Sequence, residues 1–428
     1  MRIFKNPPKD KWDDLCRRPL TDSPEFDSRV RDILTKVKNE GDSALRYYSE
    51  KFDRVSISNF KISEAELDEA EKHVDDDLKN AITVASGNIY SFHESQLRDE
   101  EAVETMPGVK CWRKSVAIDK AGLYIPGGSA PLFSSVLMLG IPAKIAGCRR
   151  IIICTPPDRQ GKINPLILYT AKVTGINEIF RVGGAQAIAA MAYGTETIPR
   201  VNKIFGPGNQ YVTKAKEIAG SQGTAVDMPA GPSEVLVIAG SQADPAFIAS
   251  DLISQAEHGP DSQVVLLTDS GKLLPEVTRE LSRQLEKLPR KDLAALSLEN
   301  SMAILLKDMD ECIDFSNEYA PEHLVINTDD PHRLAEKVIS AGSVFLGKYT
   351  CESAGDYASG TNHTLPTNGA AKSFSGISTD SFLKKITFQE LSREGIETLG
   401  PVIETMAGAE NLAGHAEAVR VRLNSLKK

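Results

Sequence analysis

From about Val116 onward, short apolar and β-branched runs alternate with helical stretches. The runs are Gly122–Ile125, Arg150–Cys154, Glu178–Val182, Lys203–Phe205, Glu234–Ile238, Gln263–Leu267, Ala303–Leu306, Leu324–Ile326 and Ser343–Leu346. Runs that are apolar almost throughout, separated by helices, predict parallel sheets covered on both faces. Ligands of such sheets bind beyond the carboxyl ends of strands. Glycine-rich turns follow strands at 126–128, Gly183-Gly184, Gly206-Pro-Gly208 and 229–232, where that rule puts a site.

The first part of the chain reads as helical. Ser23-Pro24 predicts a cap with proline in the first turn, and Val30, Ile33, Leu34 and Val37 mark one face of the helix that follows. Gly41-Asp42 ends it and opens a helix carrying Ala44, Leu45 and Tyr48, and a charged helix-forming stretch covers Ser63 to about Asn88. Beyond about Phe382 no strand pattern remains. Two helices are predicted there, from about Gln389 to Met406 and from His415 to Leu426. Val419, Leu423 and Leu426 give the last one a narrow apolar stripe, which needs its own domain or a second subunit to cover it.

A length of 428 residues predicts more than one domain. Apolar content of 41% and charged content of 25% are those of a soluble globular protein. A net charge of −9, with no basic stripe, argues against nucleic acid as a partner. The start of the chain lacks the apolar core of a signal peptide, and the most apolar stretch, Val136–Ile141, is too short to span a bilayer. The six cysteines (16, 111, 148, 154, 312 and 351) form no Cys-x-x-Cys pair. Reduced thiols in a cytoplasmic protein without membrane contact are therefore expected.

Candidate chemistry is concentrated in polar clusters. Four of the seven histidines lie beside a carboxylate or amide: His258 after Gln255, His323 after Glu322, His363 after Asp356, and His415 after Glu410. These residue types bind zinc and move protons near neutral pH. If 251–258 is helical, Gln255 and His258 share one face as a ligand pair, although a histidine near a helix C-terminus explains the pattern too. Pro321 predicts an irregular approach that lets Glu322 and His323 face one pocket as two proton acceptors, and a solvated surface turn is the competing reading. Residues 352–363 read as a polar loop built for close approach to a ligand. No Gly-x-Gly-x-x-Gly follows any run, so a standard dinucleotide fingerprint is absent. The glycines at 183–184 could seat a pyrophosphate on the next helix or could serve tight packing.

Together these clusters resemble the histidinol dehydrogenase family over nearly the whole chain, from about Phe26 to the last helix. The most specific stretches are 122–131, 227–234, 254–263, 319–323 and 353–363. The resemblance implies an α/β fold of two Rossmann-like parallel-sheet domains, aldehyde-dehydrogenase-like and lacking the GxGxxG fingerprint, with small helical segments at both ends. Its division would be 1–22 as an N-terminal tail segment, 23–128 with 233–381 as a first domain, 129–232 as a second, and 382–428 as a tail exchanged in a homodimer. Gln255, His258, Asp356 and His415 would bind one Zn2+ per subunit. Glu322 and His323 would be the catalytic proton acceptors. Ser233, His363 and Glu410, with His323 and the zinc ligands, would hold the substrate, L-histidinol. Tyr124, Gln186 and Asn209 would contact NAD+, and Glu410 and His415 would complete the other subunit's site.

The reaction so implied is a two-step oxidation of L-histidinol through the aldehyde to L-histidine with two NAD+. Three rivals remain: a dehydrogenase for another small polar alcohol, a zinc hydrolase in which Glu322 activates water, and a non-catalytic metal-binding protein. From patterns alone dehydrogenase and hydrolase rank level, and the resemblance favours the first.

Overall fold

The computed structural model describes residues 1–18, 24–98, 100–127, 131–228 and 231–427. The predicted cap at Ser23, Gly128 of the first glycine turn, the 229–230 part of the fourth, and the expected borders at 22/23 and 128/129 lie outside those residues.

All nine predicted runs are strands, and they divide between two parallel sheets. The first sheet has the order Arg2–Lys5, Met302–Leu305, Gln263–Thr268, Glu234–Ala239, His323–Asn327, Ser343–Leu346. The second runs Glu178–Arg181, Arg150–Thr155, Lys120–Tyr124, Lys203–Phe205, Ala225–Val226. The strand Glu234–Ala239 shows why its sequence is apolar from Val235 onward. Val235 and Val237 pack into the core on one face, with Leu252 and Leu266. Leu236 and Ile238 pack into the core on the other, with Phe315 and Ile326. Both faces are covered, so alternation disappears. The second sheet is covered the same way, by the alanine-rich helix Gly184–Tyr193 on one face and Ser134–Ile145 on the other.

Several expectations are corrected. The amino-terminal segment is not merely a tail: Arg2–Lys5 is an edge strand paired with Met302–Leu305. Four residues are too few to announce a strand by periodicity. The stretch 24–127, expected with the first domain, contributes Lys120–Tyr124 to the second sheet. The helix Pro24–Glu40 buries Val30, Leu34 and Val37 in that sheet's core. Beyond Phe382 a strand was not expected, yet Leu383–Leu391 pairs antiparallel with Val109–Ala117, which also pairs with Val103–Met106. Most of Leu383–Leu391 is exposed, so ladder hydrogen bonds and not burial hold it, and a hydropathy pattern has nothing to report. The tail helices are Arg393–Ala409 and Ala413–Ser425, packed on one another.

All six cysteines are free, as expected, and Cys148 and Cys154 are buried in the core. Among the described residues no helix is long and apolar enough to cross a membrane.

Candidate active site

The strands Glu234–Ala239 and His323–Asn327 begin side by side. The helix Pro245–Ala256 carries the chain back to that same edge before Gln263–Thr268 starts. The topology therefore gathers Glu234, Gln255, Glu322 and His323 at the amino ends of the first sheet's strands. This departs from the carboxyl-end rule; the glycine turns of the second sheet do lie at the carboxyl ends of its strands.

Glu322 and His323 face one recess because of the turn before them. Ala320 adopts a left-handed conformation (φ 52°), and Pro321 follows, so Glu322 is turned inward before His323 enters its strand. His323 Nδ1 lies 3.6 Å from Glu322 Oε2 and 3.0 Å from the Glu234 carbonyl. Its Nε2 lies 3.1 Å from Asp356 Oδ1. Glu322 Oε2 accepts from the Glu234 N–H at 2.8 Å and from Gln255 Nε2 at 3.4 Å. Burial opposes charging of His323, but the adjacent Glu322 carboxylate and the hydrogen bond to Asp356 outweigh it and hold the imidazole well above its usual range. Burial pushes Glu322 up, against the pull of His323. Burial also opposes ionisation of Asp356, yet His323, by hydrogen bond and charge, holds that carboxyl down at about 2.

Gln255 is buried, and its Oε1 has no hydrogen-bond partner among the described residues. Its Nε2 is engaged with the Glu234 carbonyl at 3.3 Å. The helix ends at Ala256, so His258 lies in the turn beyond it and not on the helix face. Its backbone N–H still bonds the Gln255 carbonyl at 3.2 Å. The ring is open to solvent but recessed: desolvation lowers its pKa, and Asp356 works in the other direction. Ser233 Oγ stands 3.5 Å from His258 Nδ1. The stretch expected to be a loop contains a short helix, Glu352–Tyr357, which carries Asp356. His363 Nδ1 sits 2.9 Å from the Asp356 carbonyl and its Nε2 3.0 Å from Ser135 Oγ.

Sequence reasoning missed several participants. Glu352 is buried beside this group, and Ser254 donates to it at 2.5 Å. Burial pushes Glu352 up to about 8, against the pull of His323. Donor atoms of His323, Glu352 and Asp356 lie within 4.8 Å of one another. Glu234 and Arg18 are buried behind the pair. Only Glu234 left a signal, as a carboxylate leading an apolar run.

An unpartnered amide oxygen, a nearby imidazole and an ionised carboxylate are donors that suit a borderline cation such as zinc. Gln255, His258 and Asp356 are thus brought to one recess. Glu410 and His415 are exposed on the tail. Among the described residues, the helix bearing His415 packs mainly on Arg393–Ala409, and no hydrogen bond links either residue to that recess.

The three residues expected to contact a dinucleotide lie at the carboxyl end of the second sheet. Tyr124 closes its strand, and its hydroxyl accepts the Gly184 N–H at 3.1 Å. Gln186 is buried in the first turn of Gly184–Tyr193. Asn209 caps Gln210–Ser221, with Oδ1 accepting from the N–H groups of Tyr211 (3.0 Å) and Val212 (3.2 Å).

The profile of the histidinol dehydrogenase family matches residues 16–423. The chain is 57% identical to a histidinol dehydrogenase of Bacteroides thetaiotaomicron across the full length of both. It is 51% identical to that of Escherichia coli strain K12, over 97% of this chain and 95% of the other. The crystal structure of histidinol dehydrogenase from Elizabethkingia anophelis superimposes with a TM-score of 0.98 at 53% identity, over 100% of this chain and 99% of that one.

Proposed function

The chain belongs to the histidinol dehydrogenase family, and from that premise we propose that it oxidises L-histidinol through L-histidinaldehyde to L-histidine, with two NAD+ and a zinc centre. Family membership makes it an oxidoreductase of histidine biosynthesis. We assign the four-electron course to this chain on one observation above the rest. Two buried proton acceptors, Glu322 and His323, are both held by the main chain of one residue, Glu234, beside the unpartnered oxygen of Gln255.

Gln255, His258 and Asp356, with the partner subunit's His415, would hold the zinc, which when bound supplies a positive template and a Lewis acid for an alcohol. The remaining steps belong to the protein's own groups. His323 has Nδ1 committed to the Glu234 carbonyl, so Nε2 is the nitrogen that takes the alcohol proton, and for that it must first give up the proton it directs at Asp356. Removal of that proton accompanies hydride transfer to the first NAD+. Glu322 has Oε2 fixed by the Glu234 N–H, and its other oxygen takes a proton from the water that adds to the aldehyde. As the water adds, His323 returns its proton to the aldehyde oxygen; it then takes a proton from the hydrate as hydride passes to the second NAD+, and Glu322 releases its proton to solvent. Ser233, His363 and, from the tail, Glu410 would hold the substrate. Tyr124, Gln186 and Asn209 would contact the dinucleotide. The division between a sheet that binds NAD+ and a sheet edge that moves protons suits a cytoplasmic homodimer whose tails cross over.

The deciding experiment incubates limiting L-histidinol with the protein and excess NAD+, and counts NADH formed per histidinol consumed. About two, abolished by a chelator and restored by zinc, is expected of the metal-dependent two-step enzyme. About one would leave an alcohol dehydrogenase and remove the role given to Glu322. None, from folded protein with zinc bound, would turn the reading to another alcohol or to hydrolysis.

A further inference from the structure

Residues 1–18 are docked on the first sheet, and they deliver one side chain to the back of the candidate active site. The Arg18 side chain is 6% exposed and the Glu234 side chain 1%. Arg18 Nε donates to Glu234 Oε1 at 2.9 Å and its Nη2 to Glu234 Oε2 at 2.9 Å, a two-pronged pair. The same Nη2 donates to the Tyr319 carbonyl at 2.7 Å and reaches the Ala320 carbonyl at 3.5 Å. Nη1 donates to the Cys16 carbonyl at 2.8 Å. The guanidinium carbon lies 3.5 Å from the centroid of the Tyr319 ring, whose hydroxyl donates to Gln263 at 2.7 Å. Glu234 Oε1 also accepts the Asn368 N–H at 2.8 Å.

The main chain of residue 234 faces the opposite way. Its N–H donates to Glu322 and its carbonyl accepts from His323. One residue therefore carries Arg18 on its side chain and both proton acceptors on its backbone. Ala320, touched by the same guanidinium, is the left-handed residue that turns Glu322 inward. We propose that Arg18 is a positioning residue for the proton-transfer pair. Through Glu234 and the Tyr319–Ala320 turn, it fixes the two peptide groups flanking residue 234, whose C=O sets the ring orientation of His323 and whose N–H sets the carboxylate of Glu322. The inference rests on the proposed role of those two residues. The site needs arginine in particular, because its planar fork spans both Glu234 oxygens and a carbonyl while stacking on a ring, which the point charge of lysine cannot do.

The test is steady-state kinetics on zinc-loaded, full-length Arg18→Lys, Glu234→Gln and the double variant, with L-histidinol and NAD+. A shift of the pair by a fraction of an ångström to an ångström predicts a kcat loss of about 10- to 100-fold for Arg18→Lys. KM for both substrates stays within about threefold, because ground-state binding is untouched. Glu234→Gln behaves likewise. The double variant is no slower than the slower single one, since both changes break one link. A parent-like kcat in Arg18→Lys overturns the inference. So do losses that multiply in the double variant, or losses carried wholly by KM or by zinc content. If Arg18→Lys fails to fold, Glu234→Gln decides, and an unchanged kcat there overturns the inference. In all these cases the parent oxidises histidinol; a parent inactive on histidinol overturns the proposed function and this inference with it.

Discussion

In the proposed mechanism both oxidations turn on His323, whose one ring nitrogen is tied to a backbone carbonyl while the other faces Asp356. His323→Asn is expected to lower kcat by about 10²- to 10⁴-fold, and steady-state turnover near that of the parent would remove the assignment. Glu322→Gln leaves the alcohol step in place and stalls the second, so NADH per histidinol should drop toward one. Equal slowing of both halves would argue against a role for Glu322 in activating water. Asp251 gives a separate prediction about stability. It is buried, and desolvation pushes its carboxyl up to about 7, against a backbone hydrogen bond from Glu352. Between about pH 4 and pH 7 the unfolded chain gives up this proton while the folded chain keeps it. Stability therefore falls as pH rises through that window and levels off above it. Asp251→Asn retains an acceptor and removes the cost, so by pH 8 it should gain on the order of 2–4 kcal/mol over the parent, and nothing near pH 4. Denaturant melts at the two pH values check this, and a pH-independent difference would contradict it. None of the Asp251 effect was legible in the sequence, since a carboxylate in a helix reads the same buried or exposed.

The turns after the strands of the second sheet show how elements would build the proposed dinucleotide site without a fingerprint motif. Gly206 sits at φ +122°, and a Cβ there would lie 2.1 Å from the Tyr124 carbonyl oxygen. Its N–H donates to Asp227 at 2.8 Å and its carbonyl accepts from Lys216 at 3.0 Å, and those two side chains form a buried ion pair with each other. The turn is thus clamped from both sides just before the Asn209 cap. Gly206→Ala should displace Tyr124 or Asn209 and raise KM for NAD+ about tenfold or more, with a smaller change for histidinol. Equal KM values for NAD+ in parent and variant would separate this turn from the dinucleotide. The glycines were visible in the sequence; the clamp was not, because Lys216 and Asp227 approach through tertiary packing. The same contrast divides the strands. Glu234–Ala239 was legible because burial on two faces demands apolar residues at each position from Val235 to Ala239, whereas Leu383–Leu391 keeps its strand through pairing with Val109–Ala117 and carries polar residues freely.

The tail is the part of the molecule to which the proposed homodimer gives a second role. Its helices expose Met406 at 63% and Val421 at 57%, with Val402 and Leu412 also open. His415 and Glu410 stand on the same hairpin. A crossover in a homodimer would cover the apolar residues and carry the two polar ones to the other subunit's recess. His415→Ala should then lose zinc, measured as metal per chain, while remaining dimeric. Dissociating and mixing His415→Ala with Glu322→Gln should restore about a quarter of parental activity. Half of the reassorted dimers are mixed, and each has one intact site of two. No recovery on mixing would mean that both residues serve the site of their own chain.

The sequence by itself determined the class of the fold, nine strands of the two parallel sheets and the residue types from which the site is proposed. Those depend on local quantities: apolar content over a strand's length, turn residues, and the side chains able to hold zinc or a proton. Only the tertiary structure decided which strand joins which sheet, that the recess lies at the amino ends of the first sheet, and that Arg18 stands behind Glu322 and His323. Each of these is a pairing across a long span of chain, such as Arg18 with Glu234 or Lys120–Tyr124 with Arg150–Thr155. Pairing depends on what the rest of the chain offers to a residue, and the residue's own neighbours in sequence carry no record of it.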